Sequence, residues 1–495
     1  MLNNLKALLV VLVIALFVFH FAKSVCLRYM SAEDYTRRRN AWLALTTIAF
    51  VSPSFWIYAL FALPIMYVVG KKDSNPVALY LLLLHVVPPY SFALPSIIIN
   101  ELFDVDNYRL LAFAILLPTV FRISQTKTLK NKNGGNAAEY FIYAYLILQL
   151  IQLLPYENIT NTMRRGTLFM LDVVLLFYVV RRTSADQNKL AEAITAFTLA
   201  CAIFVPIAFF EQMRFWLLYE GLSAAWGVDT SISSFLLRGN SLRAMASTGH
   251  SLVLGYFLAM ALVLWLYLSI NKESRLLVTL GIIGIWIGLI AAFSRAPWAT
   301  AVLGVATYML LQPKGLAKLA KTAVLFLPIS AIALVSPFGK RILEVMPFMG
   351  GEVDSGSIDY RKQLGEAAWE RIQANPLFGD PFFMSHLEHL RQGQGIIDLV
   401  NVYASIAMLY GGVGLVLFIA PFLLAMYGTY TNSRKLQKVN PDLSLMGNAL
   451  FSCMMGTAFF MYTGSFGTGL AKFFYILAAF GIAYSKLANR LLIEK

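Results

Sequence analysis

Two arginines in this chain stand where apolar runs end, each among small or polar residues. Arg243 lies in Ser241-Leu-Arg-Ala-Met-Ala-Ser-Thr-Gly-His250, just ahead of an apolar stretch. Arg295 lies in Phe293-Ser-Arg-Ala-Pro-Trp298, a tight turn between two such stretches. A guanidinium presents a planar fork of donors that matches the oxygens of a phosphate. The plain alternative is a side chain that snorkels toward lipid headgroups. The shortness of Ser-Arg-Ala-Pro favours anion binding for Arg295, because rigid flanks hold the side chain close to whatever they pack against. Arg361 opens a stretch, 361–374, in which Leu364, Ala368, Trp369 and Ile372 share one helical face. It is a third candidate, set against the reading of a solvated charge.

The remaining chemistry-bearing residues are sparse. Of five histidines, His20 and His85 fall inside apolar runs and read as core or interface residues. His250 is either a structural cap or part of a site. His386 and His389 flank Glu388, but no further ligand cluster accompanies this His-x-x-His, so no metal is expected. Glu366, Asp380 and Asp398 are acids that could hold loops or accept a proton. Arg164-Arg165 reads as a solvated flank. Gly411-Gly-Val-Gly414 predicts close helix packing; with no Lys-Ser pair after it, it is no phosphate loop. Cys26, Cys201 and Cys453 lack disulfide or metal spacing.

What must position these residues is a membrane bundle. The chain has 495 residues, 59% of them hydrophobic and only 13% charged; a soluble domain would carry roughly 25% charge. Its mean hydropathy is +0.67. Windows of about 20 apolar residues each span a bilayer. About 13–14 such spans, from 7–23 to 468–486, predict an all-α polytopic bundle. The stretch 7–23 reads as a retained helix, not a signal peptide. The stretch 41–70, with Pro53 between two serines, fits one broken span or two, which leaves the side of the N-terminus open. The net charge of +14 sits mostly in short loops between spans, as the positive-inside bias requires, so nucleic acid is not a partner. Lys71/Lys72, Arg181/Arg182, Lys272/Arg275 and Arg434/Lys435 mark one side as cytoplasmic. The external side then holds 213–249, the Ser294-Arg295 turn and a long polar loop, 337–398. Four regions follow: 1–212, N-terminal helices; 213–336, core helices with the arginine-bearing turns; 337–398, the external loop; and 399–495, C-terminal helices.

The external segments resemble the O-antigen ligase and O-antigen polymerase superfamily of bacterial membrane glycosyltransferases. The resemblance runs from Arg238 to Leu415. Arg243 through Gly249-His250-Ser251 is similar to the family's arginine-to-Gly-His-Pro segment, with Ser251 in place of the proline. Ser294-Arg295 is similar to its Ser-Arg turn. Arg361 through Trp369 and then Asn375-Pro376-Leu-Phe-Gly379 is similar to its large-loop motif, and Asn401-Val-Tyr403 with the downstream glycines to its His-Asn-x-Tyr segment. Where ligases of the family carry a histidine before the asparagine, this chain has Val400. That departure leans the resemblance toward a polymerase.

The resemblance implies a GT-C-like bundle in the bacterial inner membrane. It implies a substrate oligosaccharide on a polyprenyl (undecaprenyl) diphosphate and the formation of O-antigen or exopolysaccharide, without a cofactor or metal. Arg243 and Arg295 would clamp the phosphates and Arg361 would close over them, with Asp398, His386 or Glu366 as candidate bases. His250, Trp369, Asn401, Tyr403 and His386 would contact substrate. A chain-length regulator and a flippase are the implied protein partners, beside membrane lipids. Two other functions compete: ligase-type transfer to a lipid or protein acceptor, and a transporter or flippase of lipid-linked glycans. Transporters typically carry charges or broken helices near the bilayer midplane, whereas this sequence concentrates its charge at one surface.

Overall fold

The computed structural model describes residues 2–95, 101–125, 136–228, 237–238, 241–269, 273–324, 355–391, 397, 399–464 and 470–494. Most of them form helices, and polar caps open many of these. Helix α1 is Leu2–Cys26. Ser31 caps α2 (Ala32–Val51), Ser54 caps α3 (Phe55–Lys72), and Asn75 with Pro76 opens α4 (Pro76–Leu83). The 41–70 stretch is therefore two helices, parted at Ser52-Pro53-Ser54.

The apolar run 77–98, one of the stretches counted as spans, is not a single helix. Helix α4 stops after eight residues and the chain turns back as a hairpin of β1 (Phe92–Pro95) and β2 (Glu101–Val105), with Phe92 opposite Val105. Every residue of α4 is buried, so it reads as a membrane run without being one. Its unwound end is closed by Asn107, whose Nδ2 donates to the Leu83 and Leu84 carbonyls at 3.4 and 3.3 Å. Helix α5 (Asn107–Leu111) passes through a π-helical segment, Ala112–Leu116, into α6 (Leu117–Gln125). Helix α7 (Ala137–Leu153) follows. Helix α8 (Ile159–Phe169) then runs through a second π-helical segment, Met170–Leu175, into α9 (Leu176–Thr183).

The core continues with α10 (Gln187–Arg214), the short α11 (Glu220–Ala225) and a two-residue ladder of β3 (Leu237–Arg238) and β4 (Ser241–Leu242). Next come α12 (Ser251–Ser269), α13 (Arg275–Ala291) and α14 (Arg295–Leu310). In the loop region, α15 (Ser355–Ala374) leads to a 3-10 turn over Phe383–Leu390. The last helices are α16 (Val402–Leu436), α17 (Pro441–Thr463) and α18 (Leu470–Ile493).

Among the described residues, seven helices are long and apolar enough to cross a membrane: α1, α3, α10, α12, α16, α17 and α18. The protein is a multi-pass membrane protein of all-α class. Helix α12 is hydrophobic all round and almost wholly buried, as a central helix must be. The expected span 319–336 lies outside the described residues beyond Val324.

Contacts between ends place the N-terminus. Asn4 Nδ2 donates to the Gly221 carbonyl at 3.0 Å, while Arg28 at the far end of α1 pairs with Glu273 at 2.9 Å. Residue 273 lies in the basic connection assigned to the cytoplasmic side, so the chain begins at the opposite end, beside α11.

Candidate functional site

Beyond β4 and a 3-10 turn over Ala246–Thr248, the segment carrying Arg243 is held by groups distant in sequence. Glu211, fully buried near the end of α10, accepts from three backbone amides. Oε1 takes Leu218 N at 3.0 Å, and Oε2 takes Met245 N and Ala246 N at 3.0 and 2.8 Å. A carboxylate satisfied by three N–H groups is a strong anchor in a dry site. Ala244 N donates to the Ala291 carbonyl at 3.0 Å, and Ser247 Oγ donates to the His85 carbonyl. The chain bends here through Ala246 (φ 47°) and Gly249 (φ 74°). A Cβ on Gly249 would press on Pro89 Cδ at 3.2 Å. His250 Nδ1 accepts from Leu252 N at 3.1 Å and so caps α12. Burial, with the Arg243 charge beside it, pulls His250 down from 6.5 to about 4, leaving a neutral ring next to a guanidinium.

Arg295 is the first residue of α14 instead of a turn residue. The bend lies just before it, at Phe293 (φ 47°). Trp298 Nε1 donates to the Leu289 carbonyl at 2.7 Å, tying α14 back to α13. Pro297 fills the space over Gly255, so the Arg295 helix and the helix that follows Arg243 start in contact. Along the antiparallel helix α17, Thr300 meets Gly456 and Gly304 meets Ser452. The same step places Arg295 level with Met461. Both arginines are half-buried at this one end of the bundle.

Arg361 lies in the second turn of α15, because the helix starts six residues before the expected boundary. The predicted face is corrected in one residue. Leu364 and Ala368 are buried against Phe383, Leu387 and Met408, but Trp369 is 60% exposed. Arg361 and Trp369 border a cavity of about 380 Å³, closed by Val400 and Asn401 and by Tyr462 and Thr463 at the end of α17. Arg361, Trp369 and Asn401 therefore come together. Arg243 and Arg295 do not line this cavity; they sit at the same end, with Arg295 about level with its α17 wall.

The other expected contacts fall elsewhere. Asn401 Oδ1 accepts from Ala404 N at 3.1 Å and so caps α16 as well as facing the cavity. The Tyr403 hydroxyl turns to the Ala458 carbonyl of α17 at 3.0 Å. His386 is exposed, 3.4 Å from Asp380 on the loop surface, and is not a cavity residue. Glu366 is exposed on α15. Asp398 lies outside the described residues. No cluster of metal-ligating side chains occurs among the described residues. His20 lies on an exposed face of α1, and His85 is buried with Nδ1 3.0 Å from the Tyr108 hydroxyl.

Two features were missed. The glycines of α16 do more than allow packing: the helix breaks at Gly411 (φ 66°, ψ −169°), and the loop after α15 docks into the gap. Gly412 N and Val413 N donate to the Pro376 and Leu377 carbonyls at 2.8 and 3.1 Å, and Asp380 N donates to the Met408 carbonyl at 2.7 Å. The Gln152 Nε2 group spans the join, donating to the Phe378 carbonyl and, at 3.2 Å, to that of Leu409. Gly379 (φ 72°) opposes Gly411, and a Cβ on either would collide with the other segment's backbone. The broken helix thus has its freed backbone groups satisfied by protein.

The second missed feature corrects the expectation that charge is confined to one surface. Arg38 forms a buried pair with Asp73 at 2.7 Å and with Glu192 at 2.7 Å. Lys472 lies 3.1 Å from Asp172 and 3.5 Å from Asp106, and Arg109 lies 2.8 Å from Asp172. The Lys472 ammonium also sits over the Tyr108 ring. Asp172 occupies the second π-helical segment.

No family model matches the chain, and no curated protein matches it significantly.

Proposed function

We propose that this protein is a polysaccharide polymerase of the bacterial inner membrane. It would transfer a glycan from a polyprenyl diphosphate carrier to the terminal sugar of a second lipid-linked repeat. The observation that carries the reading is the gathering of the Arg243, Arg295 and Arg361 segments at one end of the bundle, with Arg361 on a cavity wall. A diphosphate leaves as a stable anion, so the protein's chief task is to stabilise charge on it, which guanidinium groups fixed in a partly dry site do well. Arg243 and Arg295 hold the diphosphate, and Arg361 closes on it from α15. No metal ion is needed in this scheme. Trp369 and Asn401 offer a stacking face and an amide to sugars in the cavity. Val400 on the cavity wall offers no base, so the acceptor hydroxyl loses its proton to Asp398 or to water.

The resemblance to O-antigen polymerases supports this reading over ligase-type transfer, because Val400 stands where those ligases carry histidine. A second reading, a transporter of lipid-linked glycans, draws on the Lys472, Asp106, Asp172 and Arg109 cluster, since charges inside a membrane bundle often mark a translocation path. Incubating the purified protein with lipid-linked repeat units decides between them. Polymerisation gives a ladder of longer glycans that Arg295→Ala abolishes while folded protein stays abundant. An unchanged substrate contradicts the proposal.

A further inference from the structure

The loop that docks into the α16 break carries a second, apolar feature. Leu377, Phe378, Phe382 and Met384 are 63%, 56%, 53% and 40% exposed on the chain's surface. Next to them, at the tip between α7 and α8, Tyr156 and Ile159 are 57% and 69% exposed. The two groups are joined: the Tyr156 and Phe382 rings lie 5.1 Å apart edge to face, and Gln152 of α7 bonds the Phe378 carbonyl. A contiguous apolar patch of this kind marks an interface.

What covers it follows from its surroundings. Tyr140, Tyr143, Ile147, Ile151 and Leu154 form an exposed apolar stripe along α7 at steps of three and four residues, and exposed Pro155 and Tyr156 carry it on to the patch. Its depth agrees. From Gly411 to Arg434 of α16 the helix rises about 1.5 Å per residue, which gives roughly 34 Å, close to the ~30 Å hydrocarbon thickness. The break, and the loop bonded to it, therefore stand at the outer boundary of the lipid. The backbone bonds at Gly411 fix that height.

We infer that residues 376–384, with the α7–α8 tip, form a lip that inserts into the lipid of the adjacent leaflet, so that this flank of the α15 module rests in membrane instead of water. The inference holds whatever substrate the cavity takes.

The test labels the full-length protein with nitrobenzoxadiazole at Phe378→Cys, Phe382→Cys and, as a water-facing control, Glu388→Cys. The natural cysteines are buried, so labelling is selective. The protein is placed in phosphatidylethanolamine–phosphatidylglycerol vesicles with iodide on both sides. Labels at 378 and 382 should emit at shorter wavelength, be quenched by shallow doxyl lipid, and be several-fold less sensitive to iodide than the label at 388. Iodide quenching at 378 and 382 equal to that at 388 overturns the inference. So does protection from both quenchers, which indicates a second copy or another protein over the patch. Two independent positions guard against misfolding of either variant.

Discussion

Arg38 and Arg361 are both arginines beside apolar runs, yet the fold treats them oppositely. Arg38 is 1% exposed and is enclosed by Asp73, bidentate at 2.9 and 2.7 Å, and by Glu192. Arg361 stands exposed on the border of an open cavity, with Arg243 and Arg295 half-buried at the same end. The first is scaffold: its removal leaves two carboxylates in a dry interior. The second faces space that a ligand can fill. Position at a span end does not distinguish the two; access does.

Five substitutions test that contrast. Arg38→Ala should cost about 3–5 kcal/mol through the buried carboxylates it strands, read as a lower thermal midpoint in detergent; an unchanged midpoint would make Arg38 no more structural than Arg361. Arg361→Ala should do the reverse. Its stability should stay within about 0.5 kcal/mol of the parent, while glycan elongation falls by about 10²–10³-fold. Arg361→Lys should also perform poorly, since an ammonium lacks the bidentate fork.

Gly411→Ala tests how the cavity wall is held, and should destabilise by about 1–3 kcal/mol through left-handed strain and backbone collision. Limited proteolysis should then cut the 375–391 segment faster; equal rates would deny that the α16 break anchors it. The smallest effect concerns acid. His250 has its folded value depressed to about 4 from 6.5, so the unfolded chain binds the extra proton between those values. Its contribution is present above about pH 6.5 and is lost as pH falls toward about 4. His250→Gln should flatten the decline in stability across that window, measured by unfolding at stepped pH.

Much of the bundle was readable because spans and caps are local signals. Ser54 before α3 and Asn440 before α17 open helices where the apolar pattern begins. What escaped depends on contacts across the chain. Residues 79–84, five leucines and Tyr80, look like a span because they are buried on every side, and only packing reveals that α4 ends there. Glu211 is an unremarked acid until the Met245 and Ala246 amides close on it. Lys472 and Asp172 lie 300 residues apart and meet only in the fold. The arginine-bearing segments were legible by residue type and order, while the separation of Tyr403 and His386 from the cavity was not, because rotamers and loop docking decide it.

Binding of polyprenyl diphosphate without its sugar tests the central claim most directly, with polyprenyl monophosphate as the comparison. The account predicts that the diphosphate binds more tightly, and that Arg243→Ala, Arg295→Ala and Arg361→Ala each erase that preference while Arg38-dependent stability is untouched. Equal binding of the two lipids, or a preference that survives all three substitutions, would contradict it.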